Sequence, residues 1–143
     1  MYISENLTDI FKEFEFLETE FFNDLKSNSI LKSIEPKTEI LAMGQNVRYI
    51  PIVLSGTLRV YGMPEEKELL YYFIKPGQTC IMTFSTIFGD QISKVFAILE
   101  EYTEVLLLPV AHVLKWIVRY PQLNQFFFKQ YELRYNAMME MVN

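Results

Sequence analysis

The segment from Ile50 to Gly77 constrains the fold more than any other part of the chain. It holds three apolar runs rich in β-branched and aromatic residues, each of which predicts a short strand. Ser55-Gly56 separates the first two runs, and Pro76-Gly77 supplies the fixed φ and the positive φ that a type II turn needs. This order of runs and turns predicts a meander of antiparallel strands.

Similar runs and turns alternate from Thr38 to Leu108. The predicted strands are Glu39 to Met43, Tyr49 to Leu54, Thr57 to Tyr61, Leu69 to Ile74, Thr79 to Met82, Val95 to Leu99 and Thr103 to Leu108. All five glycines fall between these runs. Short strands spaced this evenly by turn residues favour a closed or rolled antiparallel sheet.

Helices are predicted on both sides of the rolled sheet. From Leu7 to Leu25 apolar residues recur every three or four positions with acidic residues between them, which indicates one helix or two short ones. After Pro109, the run VAHVLKWIV predicts a helix that Pro121 ends. Its expected apolar side holds Val113, Leu114, Ile117 and Val118. We therefore expect one mainly β domain over residues 1–143, with a helical lead-in (1–34), the rolled sheet (35–109) and C-terminal helices (110–143).

A long helix is predicted from Leu123 to the last residue, Asn143. Its apolar stripe extends beyond what one small barrel can cover, so we expect a partner helix. The candidate dimer-interface residues are Phe127, Tyr131, Arg134, Tyr135, Met138 and Val142, with Phe128 beside them.

Composition excludes several functional classes. The net charge is -5 and the basic residues are dispersed, which argues against nucleic-acid binding by this chain alone. One cysteine, Cys80, and one histidine, His112, are too few for a disulfide, a structural zinc site or the metal centre of a cupin enzyme. No nucleophile, base and orienting group occur together, and no apolar run reaches the length of a membrane span. We expect a cytoplasmic protein that is not an enzyme and needs no cofactor or metal.

The order of several motifs resembles that of one known family. The motifs are LAMGQ, VLSGTLRVY, YYFIKPGQ, TEVLLLP and RYPQL, followed by the long final helix. Together they are similar to the Crp/Fnr family of bacterial transcription regulators, over essentially the whole chain. The resemblance implies a cyclic-nucleotide-binding-like β-roll that senses a small molecule and a final helix that forms a homodimer. It also implies a DNA-reading helix-turn-helix domain, which has no counterpart in this chain.

The resemblance weakens at the phosphate cassette of the family, where an arginine and a serine hold the cyclic phosphate. At the matching positions this chain has Ser93 and Lys94, and Met82 falls near the expected glutamate. No arginine lies between Arg59 and Arg119, and a lysine lacks the two-pronged donor geometry of arginine. On the final helix, the positions expected to meet the purine are Met138 and Met139. We therefore expect that cyclic AMP does not bind.

Neutral polar groups dominate the remaining candidate pocket. The candidate ligand-binding residues are Tyr72, Thr79, Cys80, Met82, Thr83, Ser85, Thr86, Ser93, Lys94 and Met138. Such a lining suits a small, weakly charged effector whose identity the sequence leaves open. Two alternatives remain: the hydroxyls cap a short helix near Phe84 to Phe88 in a ligand-free dimerisation module, or an atypical cassette binds a cyclic nucleotide.

Overall fold

The computed structural model describes residues 19–142. Within this range the helices are α1 (Thr19–Asn28), α2 (Ile81–Thr86), α3 (Val110–Arg119) and α4 (Pro121–Val142). The strands are β1 (Ile30–Ile34), β2 (Glu39–Leu41), β3 (Tyr49–Ser55), β4 (Leu58–Gly62), β5 (Leu69–Ile74), β6 (Phe96–Leu99) and β7 (Thr103–Pro109), and Pro64–Glu66 forms a 3₁₀ turn. None of the helices in this range combines the length and apolar character needed to cross a bilayer.

The strands form two sheets in which every pair is antiparallel. One sheet has the order β1-β7-β3, and the other has the order β2-β6-β4-β5. Antiparallel sheets with helices packed beside them confirm the prediction of a rolled, mainly β domain.

Strand β7 divides the interior into two apolar clusters because its side chains alternate between its two faces. Leu106 and Leu108 pack with the helices in the first cluster, which we call the helical core. Val105 packs with Val53 in the second cluster, which we call the roll core. All four side chains are at most 2% exposed. Burying an aliphatic side chain of this size contributes about 1.5–3 kcal/mol, so β7 stabilises both halves of the domain.

The predicted meander is confirmed between β4 and β5 but wrong between β3 and β4, although the strand positions are close. Six of the predicted strands occur with ends that differ by at most two residues, and Leu69–Ile74 is unchanged. However, β3 pairs with β7, whereas β4 pairs with β5 and β6. The Ser55-Gly56 turn therefore carries the chain from one sheet to the other. Local turn chemistry indicates that the chain reverses there but does not determine which strands pair across long sequence distances.

Two short segments differ in type from their prediction. Thr79 to Met82 is not a strand, because Thr79 makes only an isolated bridge to Ile52 and α2 begins at Ile81. A short apolar run does not distinguish a strand from a buried helical turn. Conversely, Ile30–Ile34, which falls in the predicted helical lead-in, is a strand that pairs with β7. Of the predicted helix from Leu7 to Leu25, residues 7–18 lie outside the described residues.

The predicted apolar side of α3 is confirmed except at one residue. Val113 is buried, and Leu114 and Ile117 pack against the helical core. Val118 is 81% exposed, and the other buried residues of this helix are Val110 and Trp116. Trp116 meets the ring of Phe21 edge to face, with 5.8 Å between ring centroids. This aromatic contact with α1 fixes which side of α3 faces the core, and the helical spacing alone does not specify it.

We predict that Gly56→Ala destabilises the domain far more than Gly44→Ala. Both glycines have positive φ, +90° and +89° respectively, so each alanine costs about 1–2 kcal/mol in backbone strain. Only at Gly56 would the new Cβ clash with the β7 end of the roll, lying 2.7 Å from the Tyr102 carbonyl oxygen and 2.8 Å from Thr103 Cα. We expect a further loss of about 1–3 kcal/mol there. Urea denaturation measures both losses, and equal losses would contradict the close approach.

Candidate functional site

The segment after β5 enters the candidate site through a tight turn. Gly77 has φ of +84°, and the Gln78 N–H donates to the Lys75 carbonyl at 3.0 Å, as the predicted Pro76-Gly77 turn requires. The backbone then pairs with the edge of β3, since the Gly77 N–H donates to Val53 O at 2.8 Å and the Val53 N–H donates to Gln78 O at 3.0 Å. This pairing fixes the start of the segment that leads into α2.

Thr79 joins three parts of the molecule. Its hydroxyl donates to the Pro51 carbonyl on β3, and its N–H donates to Gln130 Oε1 of α4 at 3.1 Å. All of these groups are buried. Thr79 therefore positions α4 against the sheet.

The hydroxyls of α2 are also engaged within the protein. The Thr83 hydroxyl donates to Cys80 Sγ at 3.1 Å, and the Thr86 hydroxyl donates to the Thr83 carbonyl at 2.7 Å. The hydroxyls of Ser85 and Tyr131 form a hydrogen bond with each other, which connects α2 to α4. The bond from Thr86 to Thr83 fits the alternative in which the hydroxyls satisfy backbone groups. The capping that this alternative also expected is not seen, because no side chain caps the N-terminus of α2.

The two residues at the cassette positions, Ser93 and Lys94, lie in different environments. Ser93 is buried, and its hydroxyl donates to the Val95 carbonyl at 2.7 Å. Lys94 lies on the surface and pairs with Asp90 at 2.9 Å. Hydrogen bonds from the Ile92 N–H and from Lys94 hold the pKa of Asp90 below its usual value. Both cassette positions therefore already have partners within their own loop.

Tyr72 and Cys80 form the part of the candidate pocket nearest the roll core. The Tyr72 hydroxyl lies 3.4 Å from Cys80 Sγ, and Cys80 is fully buried. Burial, followed by the neighbouring thiol of Cys80, raises the pKa of Tyr72 above its ordinary value. Met82 packs against the same core. Tyr72 is therefore neutral at physiological pH, with its ring facing α4.

Arg134 reaches this pocket from α4, although the sequence placed it at the dimer interface. Its guanidinium lies over the Tyr72 ring, 4.0 Å from the ring centroid. It donates to the Phe73 carbonyl at 2.9 Å and to Gln78 Oε1 at 3.0 Å. Partial burial lowers the pKa of the Arg134 guanidinium below its ordinary value. The spacing of Phe127, Gln130 and Arg134 places the three residues on one face of α4.

The structure also separates the apolar residues of α4 into two strips. The roll-facing strip is buried and contains Leu123, Phe126, Phe127 and Gln130. Phe127 stacks on Phe84 with 3.9 Å between ring centroids and is 2% exposed, so little of its side chain is available to a partner. Its place in a dimer interface stays a prediction. Met138, also named for the pocket, is 53% exposed one turn beyond Arg134.

The second strip of α4 is exposed. It contains Phe128, Tyr135, Met138 and Val142, which are between 53% and 72% exposed. Tyr131 lies between the two strips and is half-buried against the helical core. Phe128, and not Phe127, therefore has the surface exposure that the sequence analysis expected of an interface residue.

Sequence comparison gives no relatives, but comparison of the fold does. No protein-family model matches the sequence, and no curated protein matches it either. The structure resembles the catabolite activator protein of Thermus thermophilus, with a TM-score of 0.70 and 20% identity, over 87% of this chain and 59% of that chain. A proposed Crp/Fnr regulator from Eubacterium rectale gives a TM-score of 0.80 at 18% identity, over 94% of this chain and 62% of that one.

The third comparison is with a domain of similar extent. The sensor domain of the transcriptional regulator DNR from Pseudomonas aeruginosa gives a TM-score of 0.74 at 14% identity, over 98% of this chain and 95% of that domain. The chain thus spans about three fifths of the two longer regulators and nearly all of the isolated sensor domain. It has the cyclic-nucleotide-binding-like β-roll fold of Crp/Fnr sensor domains.

Proposed function

We propose that this chain is the effector-sensing and dimerisation domain of a cytoplasmic Crp/Fnr-like bacterial transcription regulator that does not bind cyclic AMP. One observation carries the proposal. In this fold, α4 offers one buried strip to the roll and a separate exposed apolar strip to solvent. A helix with both surfaces links a sensing barrel to a second subunit. DNA contact would require a further domain outside this chain.

The exposed strip has the spacing of a two-stranded helical pair. The strip residues Phe128, Tyr135, Met138 and Val142, together with half-buried Tyr131 at the edge of the strip, follow one another at steps of three or four residues. This is the a and d spacing of a coiled coil. Large contiguous apolar surfaces on soluble proteins mark interaction sites. A second copy of α4, packed along the same strip, would cover these side chains in a symmetric dimer.

The cassette geometry supports the exclusion of cyclic AMP. A buried cyclic phosphate needs a donor fork to offset its desolvation. Ser93 uses its hydroxyl on Val95, and Lys94 uses its ammonium on Asp90 at the surface. Neither side chain supplies a guanidinium.

The residues that meet around Tyr72 come from both the roll and α4, which supports a sensing role. Tyr72 and Cys80 come from the roll side, and Arg134 comes from α4. An effector that displaced Arg134 from Phe73 or Gln78 would shift α4 against the roll and so favour one of two dimer geometries.

A ligand-free dimerisation module is the second candidate, and the internal hydrogen bonds favour it. The hydroxyls of Thr79, Thr83 and Thr86 all donate to groups of the same domain. In that case the shared contacts would hold α4 rigidly on the roll without sensing anything.

We predict that the protein is a dimer at micromolar concentration and that Met138→Glu weakens the dimer by at least about tenfold, or about 1.4 kcal/mol. The reason is that a carboxylate at this exposed position would be buried without a partner in the paired helices. Analytical ultracentrifugation measures the dissociation constant.

Ala137→Glu is the matched control, because Ala137 is exposed on a different side of α4 and receives the same charge. It should leave the dimer intact. A monomeric wild-type protein, or equal effects of the two variants, would show that the exposed strip does not pair.

We also predict no saturable binding of cyclic AMP up to about 1 mM, which corresponds to a binding free energy weaker than about 4 kcal/mol. Calorimetric titration of the dimeric protein measures this, because the missing guanidinium removes the main phosphate contact. Saturation at micromolar cyclic AMP would overturn the prediction and favour the atypical cassette.

A further inference from the structure

A second cavity lies away from the cassette, where the two sheets meet at an edge of the roll. Its volume is about 450 Å³, within the range of ligand pockets of about 300–1,000 Å³. Its lining comes from β2, the segment 45–48, β3 and β7. The lining residues are Ile40, Leu41, Gln45, Asn46, Arg48, Tyr49, Pro51 and Leu107.

The cavity has an apolar part and a polar part. Ile40, Leu41 and Leu107 pack against the roll core and extend its apolar surface into the cavity. Arg48 and the amides of Gln45 and Asn46 supply hydrogen-bond donors in the same lining. The arrangement suits a ligand with an apolar body and one polar end.

The positive charge of the cavity lining favours an anionic ligand. It contains one guanidinium and no carboxylate, although the protein as a whole has a net charge of -5. Arg48 is exposed and takes part in none of the ion pairs of residues 19–142. Arg59 and Arg119, by contrast, each pair with glutamates.

The segment that carries Arg48 is held in place on both sides. The Val47 N–H donates to the Gln91 carbonyl at 2.7 Å, and the Arg48 carbonyl accepts from the Val110 N–H at 3.0 Å. The Gln45 carbonyl accepts from the Ser93 N–H at 2.9 Å. A fixed backbone lowers the entropic cost of ordering these donors around a ligand.

We propose that this cavity binds a small organic carboxylate with an apolar body, such as a medium-chain fatty acid. The carboxylate would accept hydrogen bonds from the guanidinium of Arg48 in the two-pronged geometry that arginine offers. The hydrocarbon would lie on Ile40, Leu41 and Leu107. None of these residues belongs to the candidate site around Tyr72, Cys80 and Arg134, which we call the roll–α4 pocket. The proposal therefore goes beyond the proposed function and does not depend on it.

The test is calorimetric titration of the whole chain with sodium octanoate. We expect saturable binding with one site per chain, and at least tenfold weaker binding of octanol, which lacks the charge, and of acetate, which lacks the apolar body. Arg48→Gln should weaken octanoate binding at least tenfold. Lys67→Gln, which removes an exposed cation outside the cavity lining, should leave it unchanged.

Thermal denaturation checks that the variants are folded. Because Arg48→Gln alters an exposed side chain, this variant should have a melting temperature within a few degrees of the wild type. Absent octanoate binding to the wild type would overturn the proposal. Equal weakening by Lys67→Gln, or tighter binding of octylamine than of octanoate, would also overturn it. If Arg134→Gln abolished binding and Arg48→Gln did not, the ligand would occupy the roll–α4 pocket and the proposal would be wrong.

Discussion

The alternation of side chains along β7 is the constraint on which the rest of the structure depends. Leu106 and Leu108 face the helices, while Val105 faces the interior of the roll. Because β7 also pairs with β1 on one edge and β3 on the other, a shift of one residue in its register would exchange the two faces. The helical core and the roll core therefore share this strand, and a register shift would disrupt both.

Helix α4 depends on this arrangement because it docks on what β7 holds in place. Phe127 stacks on Phe84, and Gln130 accepts a hydrogen bond from Thr79, which is itself bonded to β3. Arg134 adds polar contacts to the end of β5 and the turn after it. Over two turns, α4 thus contacts the rest of the domain first through the ring of Phe127, then through the amide of Gln130 and then through the guanidinium of Arg134. A displacement of Tyr72 would therefore disturb the contact between its ring and Arg134 of α4.

Much of the strand content could be predicted from the sequence, but the pairing of the strands could not. Glycine and proline mark the turns because their backbone preferences are local, and Gly56 and Gly77 do adopt positive φ. The strand Ile30–Ile34 was missed because its partner β7 lies more than 60 residues away in the sequence. A local pattern of residues does not indicate such a distant pairing. For the candidate site, the sequence named Cys80 and Thr83 but placed Arg134 at the dimer interface, because the contact of Arg134 with Tyr72 exists only once α4 is docked.

The assignment of Phe127 to the dimer surface shows why a helical stripe needs the tertiary fold for its interpretation. Adjacent residues on a helix differ in direction by about 100°, so Phe127 and Phe128 face different surroundings although both belong to the same aromatic run. Phe127 is 2% exposed and Phe128 is 70% exposed. The two apolar strips lie side by side on α4, with Tyr131 between them bonded to Ser85. A rotation of α4 that altered contacts on the roll-facing strip would turn the exposed strip as well, and this is how the proposed sensing domain would transmit a change in the roll to a second subunit.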